Sequence, residues 1–183
     1  MTQSGRSLAV IGFGSTLRRD DAVGVRVIEA LRELVAREPW TMPFDTRLVD
    51  GGTRGLDLLP AIGEARGLVL VDAVTSGDVP GTVTVRRNGD IEQANDPDRA
   101  GATGVVAELL GFARLLGWLP EDVALVGVEV ATIDIGMELS PPVAAAVPDL
   151  VDAVRQELRR MDSSMAPALE TAWSAARMAG AVA

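Results

Sequence analysis

Short apolar runs bounded by glycine recur along this chain, and between them apolar positions repeat at helical spacing. Ser7–Gly12 is a compact apolar run that predicts a buried strand. Beyond it Val23, Val27, Ala30, Leu31 and Leu34 mark one stripe of a helix, with Asp20 in the position of its N-cap. Asp45–Asp50 reads as a second strand and Leu56–Ala65 as a short helix. Gly67–Val74, "GLVLVDAV", is the strongest strand, apolar on both faces as a central strand should be. Thr82–Arg87 alternates like a more exposed strand, following a turn at Pro80-Gly81. Ile91–Ala102 is polar and aperiodic and reads as a loop. Val105–Leu116 is helical, with Val105, Val106, Leu109, Phe112, Ala113 and Leu116 on its apolar side. Val123–Val128 is a further buried strand. Ser140, as N-cap, and two prolines open a last helix that buries Val143, Val147, Leu150, Val151, Val154 and Leu158, with a kink expected at Pro148.

Strands alternating with helices predict an α/β fold: a largely parallel sheet of about five strands with helices on both faces. The length of 183 residues fits one domain over 1–161. From 162 to 183 the composition turns to Ser, Ala and Met, and this C-terminal tail is expected to be disordered or partly helical.

Composition narrows the chemistry sharply. The chain has neither cysteine nor histidine. That excludes disulfides, thiolate ligands, a Ser-His-Asp relay and an imidazole base within this sequence. Acid–base or metal work falls mainly to carboxylates. The 26 acidic and 17 basic residues give a net charge of −9, which argues against a nucleic-acid partner. No apolar run approaches the ~20 residues of a membrane span, and the polar Met1–Arg6 is not a convincing signal peptide. A cytoplasmic protein without membrane association is expected.

Which carboxylates matter follows from where the elements place them. "GFGSTLRRDDAVGVRV", Gly12–Val27, has the first two glycines of a dinucleotide cradle, but Leu17 stands where the third belongs, and two acids would repel a pyrophosphate. Asp20 is explained as a helix cap. Asp21 is less so, with complementarity to the helix dipole as its plain explanation. Asp72 lies at the C-terminal end of the most apolar strand, where ligands bind in open α/β sheets, or else it caps the next loop through Thr75 or Ser76. Asp50-Gly51-Gly52-Thr53 reads as a tight turn after the second strand.

Taken in order, these stretches resemble the hydrogenase maturation proteases. The glycine turn and acidic pair of "GFGSTLRRDDAVGVRV", then "DGGTRGLDLL", "LVLVDAV", "PGTV", "LLGWLP", "LVGVEV" and "LSPPVAAAVP" cover Leu8 to Leu158. The resemblance implies a twisted sheet with helices on both faces. It implies an endopeptidase that trims a C-terminal peptide from the nickel-loaded large-subunit precursor of a nickel–iron hydrogenase. It carries the family's two metal-contacting carboxylates onto Asp21 and Asp72, as both catalytic and metal-contacting residues. The family's metal-binding histidine falls at or near Ala102, and this chain has none. Asn95, Asp96 and Asp98 nearby offer oxygen ligands. Two carboxylates form a hard oxygen set, better suited to magnesium or calcium than to nickel. Nickel is therefore expected to arrive on the precursor, a metal there polarising the scissile carbonyl or a water, and the protein is expected to act as a monomer. The missing histidine keeps a second expectation in view, a non-cleaving checkpoint that binds the same precursor. A nucleotide-binding domain is the third.

Overall fold

The computed structural model describes residues 7–39, 42, 43, 45–93 and 104–178, with the backbone alone for 92, 93 and 163–178. Five strands, β1 (Ser7–Phe13), β2 (Thr46–Gly52), β3 (Ala65–Val74), β4 (Val83–Arg87) and β5 (Val123–Glu129), form one sheet in the order β2-β1-β3-β5-β4. β1 pairs in parallel with β2 and β3, β3 pairs in parallel with β5, and β4 runs antiparallel along β5 at one edge. The largely parallel α/β sheet predicted from the sequence is therefore the one observed.

The helices are α1 (Val23–Arg37), α2 (Leu59–Gly63), α3 (Gly89–Gln93), α4 (Gly104–Leu115) and α5 (Pro141–Met178), with 3-10 turns at Arg19–Ala22 and Leu56–Leu58. They cover both faces because the strands are apolar on both. Val69, Val71 and Ala73 of β3 pack with α1 (Val27, Ile28, Leu31) and α5 (Leu150, Val154, Leu158). Leu68 and Leu70, alternating with them, pack with Ile62 of α2 and Val106, Leu109 and Ala113 of α4. Arg87 and Arg160 both bind Glu157, and Arg160 also binds Asp122, fixing α5 to the β4–β5 edge.

Several local expectations are corrected. The polar stretch after Asn88 forms a helical turn, α3, before the undescribed residues begin. Helix α5 runs unbroken across Pro148 to Met178, so residues 162–178 of the predicted tail are helical, one of the two states expected for it. Asp20 does not cap α1: the helix cap position is Ala22, with no side-chain cap bond. Nor does the Ser140 hydroxyl cap α5, for it is turned to Asp20, and only the Ser140 carbonyl accepts from Ala144 N–H.

The strand order places a switch point between β1 and β3. The chain leaves β1 toward β2 on one side and returns to β3 on the other. In open α/β sheets such a switch point, at the C-terminal ends of the strands, is where ligands bind.

Candidate active site

Both predicted carboxylates belong to that rim. Asp72 is the eighth residue of the ten in β3, opposite Gly127 of β5. Its side chain falls on the sheet face covered by α2 and α4, since Leu68 and Leu70 share that parity. It is fully buried, and its Oδ1 accepts from the Ala73 N–H at 2.9 Å. Asp21 lies in the 3-10 turn between β1 and α1 and is partly exposed.

A close backbone approach brings the Asp21 turn onto the strand ends. A Cβ on Gly24 would lie 2.4 Å from the carbonyl oxygens of both Phe13 and Val71. The first turn of α1 therefore sits directly on the ends of β1 and β3, and Asp21 immediately precedes it. Gly14, with φ +118°, lies just as close, since a Cβ there would sit 1.5 Å from the Asp21 carbonyl oxygen. Only glycine accepts both that backbone angle and that approach.

The Asp21 carboxylate accepts from the Ser15 N–H at 2.8 Å. In a phosphate cradle this N–H would face the anion. Here an acid of the same turn occupies it, which weighs further against nucleotide binding. Asp21 takes part in no ion pair among the described residues.

Asp20 has a different task, which sequence reasoning missed. It is fully buried. Its Oδ2 accepts from Ala131 N, Thr132 N and the Ser140 hydroxyl, and its Oδ1 from Ser140 N at 2.6 Å. Burial alone would push this carboxyl up. The hydrogen bonds from Ser140, Thr132 and Ala131 outweigh it and hold the group below the ordinary carboxylate range. Asp20 thus welds the 15–20 loop to the 131–140 loop. No local signal could reveal this, because every partner is more than a hundred residues away.

The same rim carries Glu129, the last residue of β5, nearly buried and accepting from Ser76 N, Ser76 Oγ and Gly77 N. It shapes the loop that follows Asp72, so Ser76 is held by Glu129. Asp50 pairs with Gly12 just before the register shift that sets Gly52 opposite Phe13, and the Gly14 N–H donates to the Gly52 carbonyl. Asp-Gly-Gly-Thr is thereby joined to the glycine turn of β1. Among the described residues no three acids gather closely enough to hold a metal ion. Ala102, Asn95, Asp96 and Asp98 lie outside the described residues. No described helix is long and apolar enough to cross a membrane.

The family described as "HycI: Hydrogenase maturation protease" matches residues 25–157. The hydrogenase expression/formation protein HupD of Rhodobacter capsulatus is 35% identical over 157 residues, covering 82% of this chain and 70% of that protein. The hydrogenase 2 maturation protease of Escherichia coli K12 is 29% identical over 157 residues, covering 83% and 90%. The solved structure of the hydrogenase maturating endopeptidase HybD from E. coli superposes with a TM-score of 0.72 at 28% identity, covering 84% of this chain and 93% of that one.

Proposed function

This chain belongs to the hydrogenase maturation protease family, a family of endopeptidases, and on that premise we propose that it removes a C-terminal peptide from the nickel-loaded large-subunit precursor of a nickel–iron hydrogenase. What supports the site is the position of Asp21 and Asp72 by the switch point of the sheet, where the β1–β3 ladder ends. In this reading the two carboxylates complete the shell of a nickel ion brought by the precursor and orient the scissile peptide against it. Nickel on the precursor supplies the Lewis acidity that polarises the reacting carbonyl or a water.

The donor set supports nickel as cargo. With no thiolate and no imidazole in the chain, two hard oxygen donors match nickel poorly by themselves. Thiolates on the precursor would hold it more firmly, leaving this protein to recognise its presence. Serving one folded precursor at a time, the protein works as a monomer in the cytoplasm, where such precursors are assembled.

The test is the mass of purified nickel-loaded precursor after incubation with the wild type, Asp21→Asn or Asp72→Asn. The wild type shortens the precursor by one C-terminal peptide. Each isosteric variant slows cleavage by roughly a hundredfold or more, the scale of losing a group that acts on the reacting centre. Undiminished cleavage by both variants would sink the assignment. A stable complex with no change of mass would favour the non-cleaving checkpoint, a reading that the absent histidine keeps specific.

A further inference from the structure

Four large apolar side chains stand exposed on the two loops that Asp20 welds together. Leu17 is 62% exposed, Ile133 44%, Ile135 90% and Met137 65%. Lone exposed apolar residues are ordinary, but several grouped beside a candidate site mark an interaction surface. These are grouped by construction. Arg18 and Gly136 form a parallel bridge, Gly136 N–H donates to the Leu17 carbonyl at 3.0 Å, and Arg19 N–H donates to the Gly136 carbonyl at 2.8 Å. The Arg18 guanidinium donates to the Ile133 carbonyl. Arg19 is held at φ +43° with its side chain against Gly136, a conformation that persists only where surroundings enforce it. The loops are thus held from beneath while their apolar tips stay largely exposed, Ile135 most of all.

We propose that Leu17, Ile133, Ile135 and Met137 form a preorganised apolar ridge onto which the large-subunit precursor docks, seating its nickel site beside Asp21. The inference rests on the proposed function and names the contact surface that function requires. Continuity selects the occupant. Leu17 and Asp21 belong to one short turn, so whatever covers the ridge also stands over the rim where β1 and β3 end. A second copy of this chain seated there would close that rim to any substrate. The partner surface is an apolar patch next to the precursor's metal, wide enough to take the projecting Ile135. Rigid loops lose little freedom on binding, so burial of these side chains converts efficiently into affinity. Methionine among them tolerates imperfect fit.

The comparison cluster is Phe112, Leu115, Leu116 and Trp118 at the end of α4, also exposed. That end of α4 leads into the start of β5, at the opposite rim of the sheet. It provides a control of equal hydrophobicity away from Asp21 and Asp72.

The experiment measures binding and cleavage of nickel-loaded precursor by full-length wild type, Ile135→Glu, Leu17→Glu, the milder Ile135→Ser, and Leu115→Glu, with melting temperatures in parallel. Ile135→Glu and Leu17→Glu are expected to raise Kd and KM by roughly tenfold or more, the size of a central contact, with the loss in KM rather than kcat. Ile135→Ser gives a smaller rise, and Leu115→Glu binds within about twofold of wild type. Wild-type affinity in all three ridge variants overturns the ridge and leaves the proposed function standing. A ridge effect alongside normal cleavage by Asp21→Asn and Asp72→Asn keeps the ridge and removes the carboxylate assignment. A wild-type dimer that Ile135→Glu dissociates, with precursor binding intact, overturns the ridge in favour of a second copy. Failure of the wild type to bind any precursor of its own organism overturns both.

Discussion

Ser140 donates twice to Asp20, from its backbone N–H to Oδ1 at 2.6 Å and from its hydroxyl to Oδ2 at 2.8 Å, across a separation of 120 residues. The pair closes the rim of the sheet by fastening the start of α5 to the turn before α1. With the N–H groups of Ala131 and Thr132, it gives one buried carboxylate four donors. Its neighbour Asp21 is left partly exposed. Adjacent residues of one chemical type thus divide into a fastener and a candidate reagent.

Asp20→Asn should cost roughly 2 kcal/mol, because its amide nitrogen would meet N–H donors that now face a carboxylate oxygen. The same bonds make stability depend on acidity. A carboxyl held below its ordinary value stabilises the fold fully above the unfolded-state pKa of ~3.9 and loses that contribution as pH falls toward the folded value. Urea titrations of wild type at falling pH should therefore show a loss of stability below about pH 4 that Asp20→Asn shows less of. Parallel pH profiles for the two proteins would contradict the account.

The approach of α1 to the sheet gives a second expectation. A methyl on Gly24 would meet the carbonyl oxygens of Phe13 and Val71, neither of which can move without disturbing the β1–β3 ladder. Gly24→Ala should cost roughly 3 kcal/mol or more, in the range of overpacking against backbone. It should also slow precursor cleavage beyond what lost stability explains, since any retreat of α1 lifts Asp21 from the strand ends. Gly111→Ala is the matched control. Its methyl meets open space within α4, and stability should stay level or rise by about 0.5–1 kcal/mol. Thermal unfolding of the two variants, with cleavage measured well below both midpoints, decides the matter.

What the sequence made legible follows from the range of the forces involved. β3 was plain because "LVLVDAV" must be buried on both faces to be stable, and the acid interrupting that run drew attention to Asp72. Asp21 stood out only because one helix start needs one cap. That inference rested on a wrong role for Asp20, whose donors come from Ala131, Thr132 and Ser140. Strand order was not legible, for the switch point between β1 and β3 depends on crossovers that no local period records. α3 was missed because a single polar turn carries no helical repeat. Ile133, Ile135 and Met137 alternate within a polar loop, and the signal lay there unread: apolar residues that no predicted element could bury.

The chain lacks the metal-binding histidine that its resemblance to the family implies. By resemblance its position falls at or near Ala102. Two carboxylates alone bind nickel weakly, because hard oxygen donors leave a borderline ion close to its hydrated energy. If the proposed site is right, an imidazole joining Asp21 and Asp72 would change the donor set to one that nickel and zinc prefer. Ala102→His in the isolated protein should therefore raise nickel affinity by roughly ten- to a hundredfold over wild type, measured by calorimetry, and Asp21→Asn in the same background should reverse the gain. On the proposed function the wild type should meanwhile cleave nickel-loaded precursor without the histidine, the ion being held by the precursor's own ligands. If Ala102→His leaves nickel affinity unchanged, position 102 does not complete a site with Asp21 and Asp72. If instead only Ala102→His cleaves, the metal must be held in part by the protease, and the view of nickel as cargo alone gives way.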